Sequence, residues 1–205
     1  IYISGINIMK AIVCKEFGPP SALVLEEMEP LSPKKNEILI DIHAAGVNFP
    51  DTLIIKDMYQ FKPALPFTPG NEVAGIVSAV GEEVTNYKVG DEVMAMPQFG
   101  GYAEQIIITP SQVSKKPANM DFATAACFST TYGTSHYGLK DKAKLKEGET
   151  VLILGASGGV GISAIEIAKA MGAKVIAAAS TDEKLAVCKE SVSYTHLTLP
   201  TILLV

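Results

Sequence analysis

The 205-residue sequence contains no arginine and no tryptophan, so all 17 of its basic residues are lysines. Its 22 acidic residues leave a formal net charge of −5. A chain that is acidic overall and has no guanidinium group lacks the positive field that attracts a phosphate backbone. It also lacks the planar fork that reads guanine. We therefore expect no nucleic-acid partner.

Cysteine is scarce, with three residues far apart in the sequence: Cys14, Cys127 and Cys188. An odd number at this spacing offers neither a disulfide framework nor a metal motif, and it fits a reducing compartment. No apolar run reaches the roughly 18 residues that span a bilayer, and residues 1–8 lack the basic start of a signal peptide. The sequence therefore predicts a cytoplasmic protein without a membrane partner.

Residues 9 to about 120 hold short β-branched segments separated by glycine and proline. The predicted strands are 9–13, 38–44, 72–80, 91–96 and 102–108. Several short strands with turn signals between them indicate a small barrel or sandwich.

The hydrophobic period changes after Asp121. Helical patterns at 121–126 and 132–143 precede a continuous apolar strand at 150–154. An amphipathic helix at 159–171, a strand at 174–179 and a helix that starts at 181 follow. This strand-helix-strand-helix order is the start of a doubly wound parallel sheet, so the chain as a whole is predicted to be α/β.

The turn after the strand at 150–154 is rich in glycine. Backbone N–H groups at a helix start, with the helix dipole behind them, attract anions. Gly158 would let the chain approach a pyrophosphate, and Gly161 would let the helix pack against the strand. We therefore predict a dinucleotide site, with a plain tight turn as the alternative. Its residues are Ala156, Ser157, Gly158, Gly159, Val160 and Gly161.

The end of the second parallel strand selects the cofactor. An NAD site usually has a carboxylate there, whereas this sequence has Ser180 and Thr181, followed by Lys184. Small hydroxyl residues would tolerate a 2′-phosphate, and a lysine would attract it as a point charge. The sequence therefore predicts NADP(H). The alternative for Lys184 is a solvated helix residue.

Four further motifs accompany the glycine turn: AAGVNFPD at 44–51, PGNEVAG at 69–75, VGDEV at 89–93 and GGYAE at 100–104. With them, residues 9–190 resemble the medium-chain dehydrogenase/reductase superfamily, and more closely its zinc-independent NADPH:quinone oxidoreductase (zeta-crystallin-like) branch. The resemblance implies a GroES-like β-barrel domain at 9–127 followed by an incomplete Rossmann domain at 128–190.

Zinc-dependent members of that superfamily place a cysteine where this sequence has Asn48 and a histidine where it has Asn71. A neutral amide is a poor zinc ligand. Only Cys127 stands near the third ligand position, and the four-cysteine structural loop is absent. His43 and His136 are interpreted as strand and helix residues. We therefore expect no metal site.

The resemblance implies hydride transfer from NADPH to a quinone or an α,β-unsaturated carbonyl. Without a metal, hydrogen-bond donors must stabilise the developing oxyanion. The matching family positions imply that Asn48 is an amide donor near the nicotinamide and Tyr59 a donor at the substrate cleft. Asp51 is interpreted as a loop-positioning residue rather than a proton-transfer group. The alternative for Tyr59 is a core aromatic.

Two threonines and one aspartate complete the candidate residues. Thr130 and Thr134 match family positions beside the nicotinamide and its ribose, with helix-start capping as the alternative. Asp57 stands where the family often has glycine, and this departure affects the loop that governs substrate access.

Two other functions remain open. One is an enoyl-thioester reductase of the same superfamily, and the other is a non-catalytic NADP(H)-binding or structural protein. Complete relatives pair through strands outside this segment, so a homodimer is expected for the parent protein. Two parallel strands leave an exposed edge, so we expect the chain as given to have weak stability and little activity.

The ends depart from the resemblance. Met9 resembles a natural start, and residues 1–8 are interpreted as upstream sequence read in frame, with a genuine short extension as the alternative. Residues 192–201 can be encoded by the transposase end and read adapter of tagmentation sequencing libraries. We interpret residues 191–205 as adapter read-through, with an edge strand as the alternative. Raw reads that continue as coding sequence past codon 190 would contradict this interpretation.

Overall fold

The computed structural model describes residues 8–190 and the backbone of residues 196–197. The chain divides into two compact units between Ser129 and Thr130. The interpretations of residues 1–8 and 191–205 fall almost entirely outside the described residues and stay predictions. Within the described residues, no helix combines the length and apolar character needed to cross a membrane.

The first unit consists mainly of β-strands. These are β1 (Met9–Val13), β2 (Val24–Met28), β3 (Ile38–Ala45), β4 (Val73–Val80), β5 (Glu92–Ala95), β6 (Gln105–Ile108) and β7 (Val113–Lys115). β1 and β2 form an antiparallel pair, and the other five form an antiparallel sheet in the order β6-β3-β4-β5-β7. Two short helices, α1 (Phe49–Ile54) and α2 (Phe122–Ala125), complete the unit.

The core of this unit follows the two-residue period of its strands. Ile38 and Ile40 on β3 pack with Val73 and Val77 on β4, and all four are fully buried. Burying one such side chain contributes about 1.5–3 kcal/mol, and a shift of one residue would expose the whole set. The apolar pattern therefore determines the strand register.

The second unit has the strand-helix-strand-helix order predicted from the sequence. It contains α3 (Ser129–His136), which continues as a π-helical segment (Tyr137–Lys142), and then β8 (Thr150–Leu154), α4 (Gly159–Ala170), β9 (Lys174–Ala178), α5 (Asp182–Glu190) and the two-residue β10 (His196–Leu197). The strands are parallel in the order β10-β9-β8. Ile165 and Ala168 on α4 pack against Ile153 and Val175 of the sheet.

Candidate functional site

The glycine turn joins β8 to α4, and contacts or backbone conformation within the protein explain two of its glycines. Gly155 has φ +62°, a conformation that favours glycine. A Cβ on Gly161 would lie 2.5 Å from the carbonyl oxygen of Gly155 and 2.6 Å from that of Ala156. Gly161 therefore lets the first turn of α4 pack against the loop.

Nothing within the protein requires glycine at position 158. Its φ of −79° is accessible to any residue, and it is the N-cap of the 12-residue helix α4. A Cβ built there has one neighbour, the carbonyl oxygen of Gly155 at an ordinary 3.5 Å. The protein itself would accept a side chain at this position. The open backbone fits a ligand that approaches the turn, because a Cβ would occupy the ligand's space.

A cleft of about 210 Å³ lies where β8 and β9 end. The backbone N–H of Ala156 donates to the carbonyl of Ala178 at 3.0 Å and holds the two strand ends together. Open α/β sheets bind ligands at the carboxyl ends of their strands. The lining residues are Leu154, Gly155, Ser157, Ala178, Ala179, Ser180 and Lys184.

The residues expected to select the cofactor meet at one side of this cleft. Lys184 Nζ donates to Ser180 Oγ at 3.1 Å, and the backbone N–H of Lys184 donates to Thr181 Oγ1 at 3.3 Å. All three residues are exposed. One ammonium group beside two hydroxyls can hold a phosphate dianion. Together with the open Gly158 backbone, this set fits a dinucleotide with a 2′-phosphate.

Helix α3 is attached to the first turns of α4 by hydroxyl groups that the sequence analysis did not single out. The buried hydroxyls of Ser135 and Ser163 lie 2.8 Å apart, and Ser163 Oγ lies 3.0 Å from the carbonyl oxygen of Thr131. Tyr132 donates to Glu166, and this bond raises the pKa of Tyr132 to about 12. Two serines 28 residues apart carry no local sequence signal.

The predicted threonines both lie on α3, and Gly159 packs against the same helix. Thr130 is half-buried in the first turn, whereas Thr134 is exposed in the second. Helix-start capping therefore does not account for Thr134. A Cβ on Gly159 would lie 3.2 Å from Thr131 Cγ2, so the small size of Gly159 allows close approach of the two helices.

In the first unit, Asn48 precedes α1 and is the centre of a polar cluster. Its Nδ2 donates to Asn71 Oδ1 at 3.1 Å and to Glu72 Oε2 at 3.2 Å. A carboxamide has two N–H groups, so both are used within the protein. This differs from the expectation that Asn48 donates to a ligand oxygen. The reason is that two acceptors, 23 and 24 residues further along the chain, fold against it.

Asp51, which is expected to position the loop, is 4% exposed. Its Oδ2 accepts from the backbone N–H of Asn48 at 2.8 Å and from the Tyr102 hydroxyl at 2.8 Å. Burial, followed by the bond to Asp51, raises the pKa of Tyr102 well above its usual range. Asp51 thus attaches the start of α1 to the residues that precede β6. Tyr102 lies 51 residues from Asp51 in the chain, so no local pattern marks it as part of this cluster.

Tyr59 lies in the apolar environment of a core aromatic, which is the alternative interpretation of this residue. It is half-buried against a cluster formed by Cys14, Ile54, Ile55 and Phe67. Among the described residues its hydroxyl makes no hydrogen bond, so the group is available to a ligand as well as packed against the core.

The polar cluster does not fit zinc. Asn48 directs its N–H groups, not lone pairs, at Glu72 and Asn71. A neutral carboxamide is a poor zinc ligand, and Cys127 is a single thiol whose pKa is raised by burial and by the Glu72 carboxylate. His43 lies exposed on β3, stacked on Phe122, while His136 ends α3. In the part of the chain that the structure describes, no three His, Cys, Asp or Glu residues form a metal-binding group.

Two family models match the chain in sequence order. Residues 34–118 match the alcohol dehydrogenase GroES-like domain, and residues 159–200 match the zinc-binding dehydrogenase domain. The predicted α/β fold, with a GroES-like domain followed by a Rossmann-type domain, is confirmed.

Three similar proteins show how far the likeness extends. The quinone oxidoreductase of Sus scrofa is 44% identical over 182 residues, which cover 88% of this chain and 55% of that protein. Mycobacterial Rv1454c complexed with NADPH has a TM-score of 0.85 at 35% identity, over 94% of this chain and 58% of that one. The CurK enoyl reductase has a TM-score of 0.82 at 33% identity, over 93% of this chain and 58% of that one.

The chain spans about half the length of the curated relatives it matches. Both family domains, the parallel sheet with its glycine turn, and the identity to quinone oxidoreductases agree with one assignment. The chain belongs to the quinone oxidoreductase branch of the medium-chain dehydrogenase/reductase superfamily.

Proposed function

We propose that the second unit binds NADP(H), and that the protein transfers hydride from it to a quinone or an α,β-unsaturated carbonyl without a metal. The observation that carries the proposal is Gly158, whose backbone is left open although neither its conformation nor its neighbours require glycine. The NADPH complex of a neighbour with the same fold supports this choice of cofactor.

The glycine turn would hold the pyrophosphate. Backbone N–H groups at the start of α4 are not used within the helix, and they lie at the positive end of its dipole. Gly159 and Val160 supply these N–H groups, while the N–H of Gly158 donates to the carbonyl of Gly155 at 3.1 Å. The proposed contact uses main-chain groups alone. The site therefore needs space at the backbone and does not need a particular side chain.

Lys184, with Ser180 and Thr181, would hold the 2′-phosphate. The ammonium group of Lys184 already lies within hydrogen-bond distance of Ser180, so little rearrangement is needed to bind a phosphate oxygen. Asp182 and Glu183 follow in the first turn of α5, and a second cation among these residues is lacking. Among these residues, Lys184 is therefore the proposed basis of discrimination between NADPH and NADH.

Bound NADPH would supply the hydride, and residues of the first unit would bind the substrate. Asp51 positions the start of α1 through its bonds to Asn48 and Tyr102. The Tyr59 hydroxyl is the proposed donor to the substrate oxygen. Thr130 and Thr134 are proposed to lie beside the nicotinamide and its ribose. The expected homodimer of the parent protein and its cytoplasmic location remain predictions.

Reduction of an enoyl thioester is the second candidate. The likeness to an enoyl reductase supports it, while the higher identity to quinone oxidoreductases favours the first. Substrate profiling of the protein separates the candidates, because turnover of an enoyl-CoA but not of quinones would favour the second. Tight NADPH binding with no turnover of either class would favour a non-catalytic binding protein.

Calorimetric titration of Lys184→Met with NADPH and NADH tests the cofactor assignment. Loss of a hydrogen bond to a charged group costs about 1.5–3 kcal/mol, so NADPH affinity should fall about tenfold or more. NADH affinity should not change, because NADH has no 2′-phosphate. Lys189→Met, on the same helix, is the matched control and should bind as the wild type does. Equal affinities of wild type and Lys184→Met, or no binding of either cofactor to the wild type, would contradict the proposal.

A further inference from the structure

The Asn48 carboxamide is accessible, but not through its N–H groups. Asn48 is half-buried between Val47 and Phe49, which are 79% and 74% exposed. Its Nδ2 donates to Asn71 Oδ1 and to Glu72 Oε2, which uses both hydrogens. The oxygen Oδ1 lies toward the backbone N–H of Asp51 in a capping box. An amide oxygen has two lone pairs, so it can accept a further bond.

The orientation of this carboxamide depends on Glu72 more than on Asn71. If the Asn48 amide were rotated by 180°, its oxygen would face Glu72 Oε2, and an ionised carboxylate can only accept. Asn71 could accommodate that rotation by turning its own amide, because it carries both donors and acceptors. Glu72 has no such freedom, so its carboxylate favours one amide orientation.

The Glu72 carboxylate is buried beside the backbone of Gly46. Glu72 is 1% exposed, and its carbonyl accepts from the N–H of Gly46 at 2.9 Å. A Cβ on Gly46 would lie 3.2 Å from Glu72 Oε2 and 2.3 Å from the carbonyl oxygen of Ala126. Glycine at position 46 therefore allows close approach of the Ala126 carbonyl first, and it also leaves room for the Glu72 carboxylate.

We infer that Glu72 is a positioning residue for Asn48, and that Asn48 presents its oxygen, not its N–H groups, to the ligand. The group recognised at Asn48 is then an O–H or N–H donor. Under the proposed function, on which this part of the inference rests, that donor is a hydroxyl of the hydroquinone product. Asn48 thus binds the reduced ring and does not stabilise an oxyanion.

Exchanging the amide at position 48 with the carboxylate at position 72 tests the positioning role of Glu72. Asn48→Asp places two carboxylates against each other and should lower the folding equilibrium constant by more than about tenfold. Adding Glu72→Gln supplies a donor that faces the new carboxylate at position 48, and Asn71 can turn its amide toward the same carboxylate. The double variant should therefore recover most of the lost stability. Asn48→Asp with Glu27→Gln has the same net charge, and because Glu27 is exposed on β2 it should recover none. Equal recovery by both pairs, or by neither, would overturn the inference.

Binding of small aromatic probes tests the ligand chemistry without NADPH. Hydroquinone carries two O–H donors, and 1,4-dimethoxybenzene has the same ring without them. Ligand-observed NMR of the full chain should show a preference for hydroquinone of about threefold to tenfold. The preference should disappear in Asn48→Leu, decrease in Glu72→Gln and persist in the Asn48→Asp, Glu72→Gln pair. No preference in the wild type, or an undiminished one in Asn48→Leu, would overturn the inference. The NADPH titrations decide the proposed function separately.

Discussion

Asp57 follows α1 with φ +55°, in the left-handed region that favours glycine. The family resemblance implies glycine at this position, and the backbone conformation gives the physical reason. Aspartate tolerates the left-handed region better than most residues. Lys62 Nζ also donates to the carbonyl of Asp57 at 3.1 Å and lies 2.9 Å from its carboxylate. The loop thus keeps its left-handed residue although the glycine is missing.

Substitution of Asp57 should follow backbone conformation rather than polarity. Asp57→Val should lower the free energy of unfolding by about 1–2 kcal/mol, because a β-branched residue is disfavoured at positive φ. Asp57→Gly should change it by less than about 1 kcal/mol, since relief of strain offsets the lost ion pair. Urea denaturation measures both variants. A valine variant as stable as the wild type would contradict this explanation.

The residues proposed for the cofactor site could be chosen from the sequence because their signals are local. Gly158, Gly161 and Lys184 stand at fixed offsets from strand ends that the apolar pattern reveals. The polar cluster could not be predicted in the same way. The Asn48 amide direction depends on Glu72, 24 residues away, and no local pattern encodes which side of an amide faces a buried carboxylate.

The apolar pattern predicted the strands that bury a face. β1 and β8 have the predicted bounds, whereas β2, α1 and β7 were not predicted. β2 has no buried residue among its five, so it lacks the alternation that marks a strand. α1 and β7 have six and three residues, too few for a period to be visible.

The hydrogen bond that joins α3 to α4 should be lost at alkaline pH. Tyr132 donates to Glu166, and its pKa is raised from 10.0 to about 12. A raised tyrosine pKa contributes stability that is present below pH 10 and is lost as the pH rises through about 12. The stability difference between the wild type and Tyr132→Phe should therefore shrink across this range. Denaturation at pH 9 to 12 measures it, and a difference that stays constant would contradict the assigned bond.

The described sheet of the second unit ends at β8. Leu152 and Leu154 on that strand are 56% and 65% exposed. An apolar strand with one unpaired edge promotes association with other chains. Sedimentation velocity of the 205-residue chain should therefore show an average mass that rises with concentration. The expected low turnover of this chain stays a prediction with the same physical basis.

Leu152→Lys tests the role of the β8 edge. A lysine at an exposed edge position disfavours pairing between chains and costs little in the folded unit, because Leu152 is largely solvent-exposed. The variant should sediment as a single species of lower mass than the wild type at equal concentration. Thr181→Lys adds the same charge away from the strand and should leave the association unchanged. A wild type that is monomeric at all concentrations would show that this edge is not an interface.

We propose that the open backbone at Gly158 receives the pyrophosphate of NADP(H), and calorimetric titration of Gly158→Ala with NADPH tests this contact. The substitution should cost less than about 1 kcal/mol of stability, because φ is −79° and the added Cβ meets one atom at 3.5 Å. We expect a folded variant whose affinity for NADPH is about tenfold or more below that of the wild type. A folded Gly158→Ala variant that binds NADPH as tightly as the wild type would contradict it.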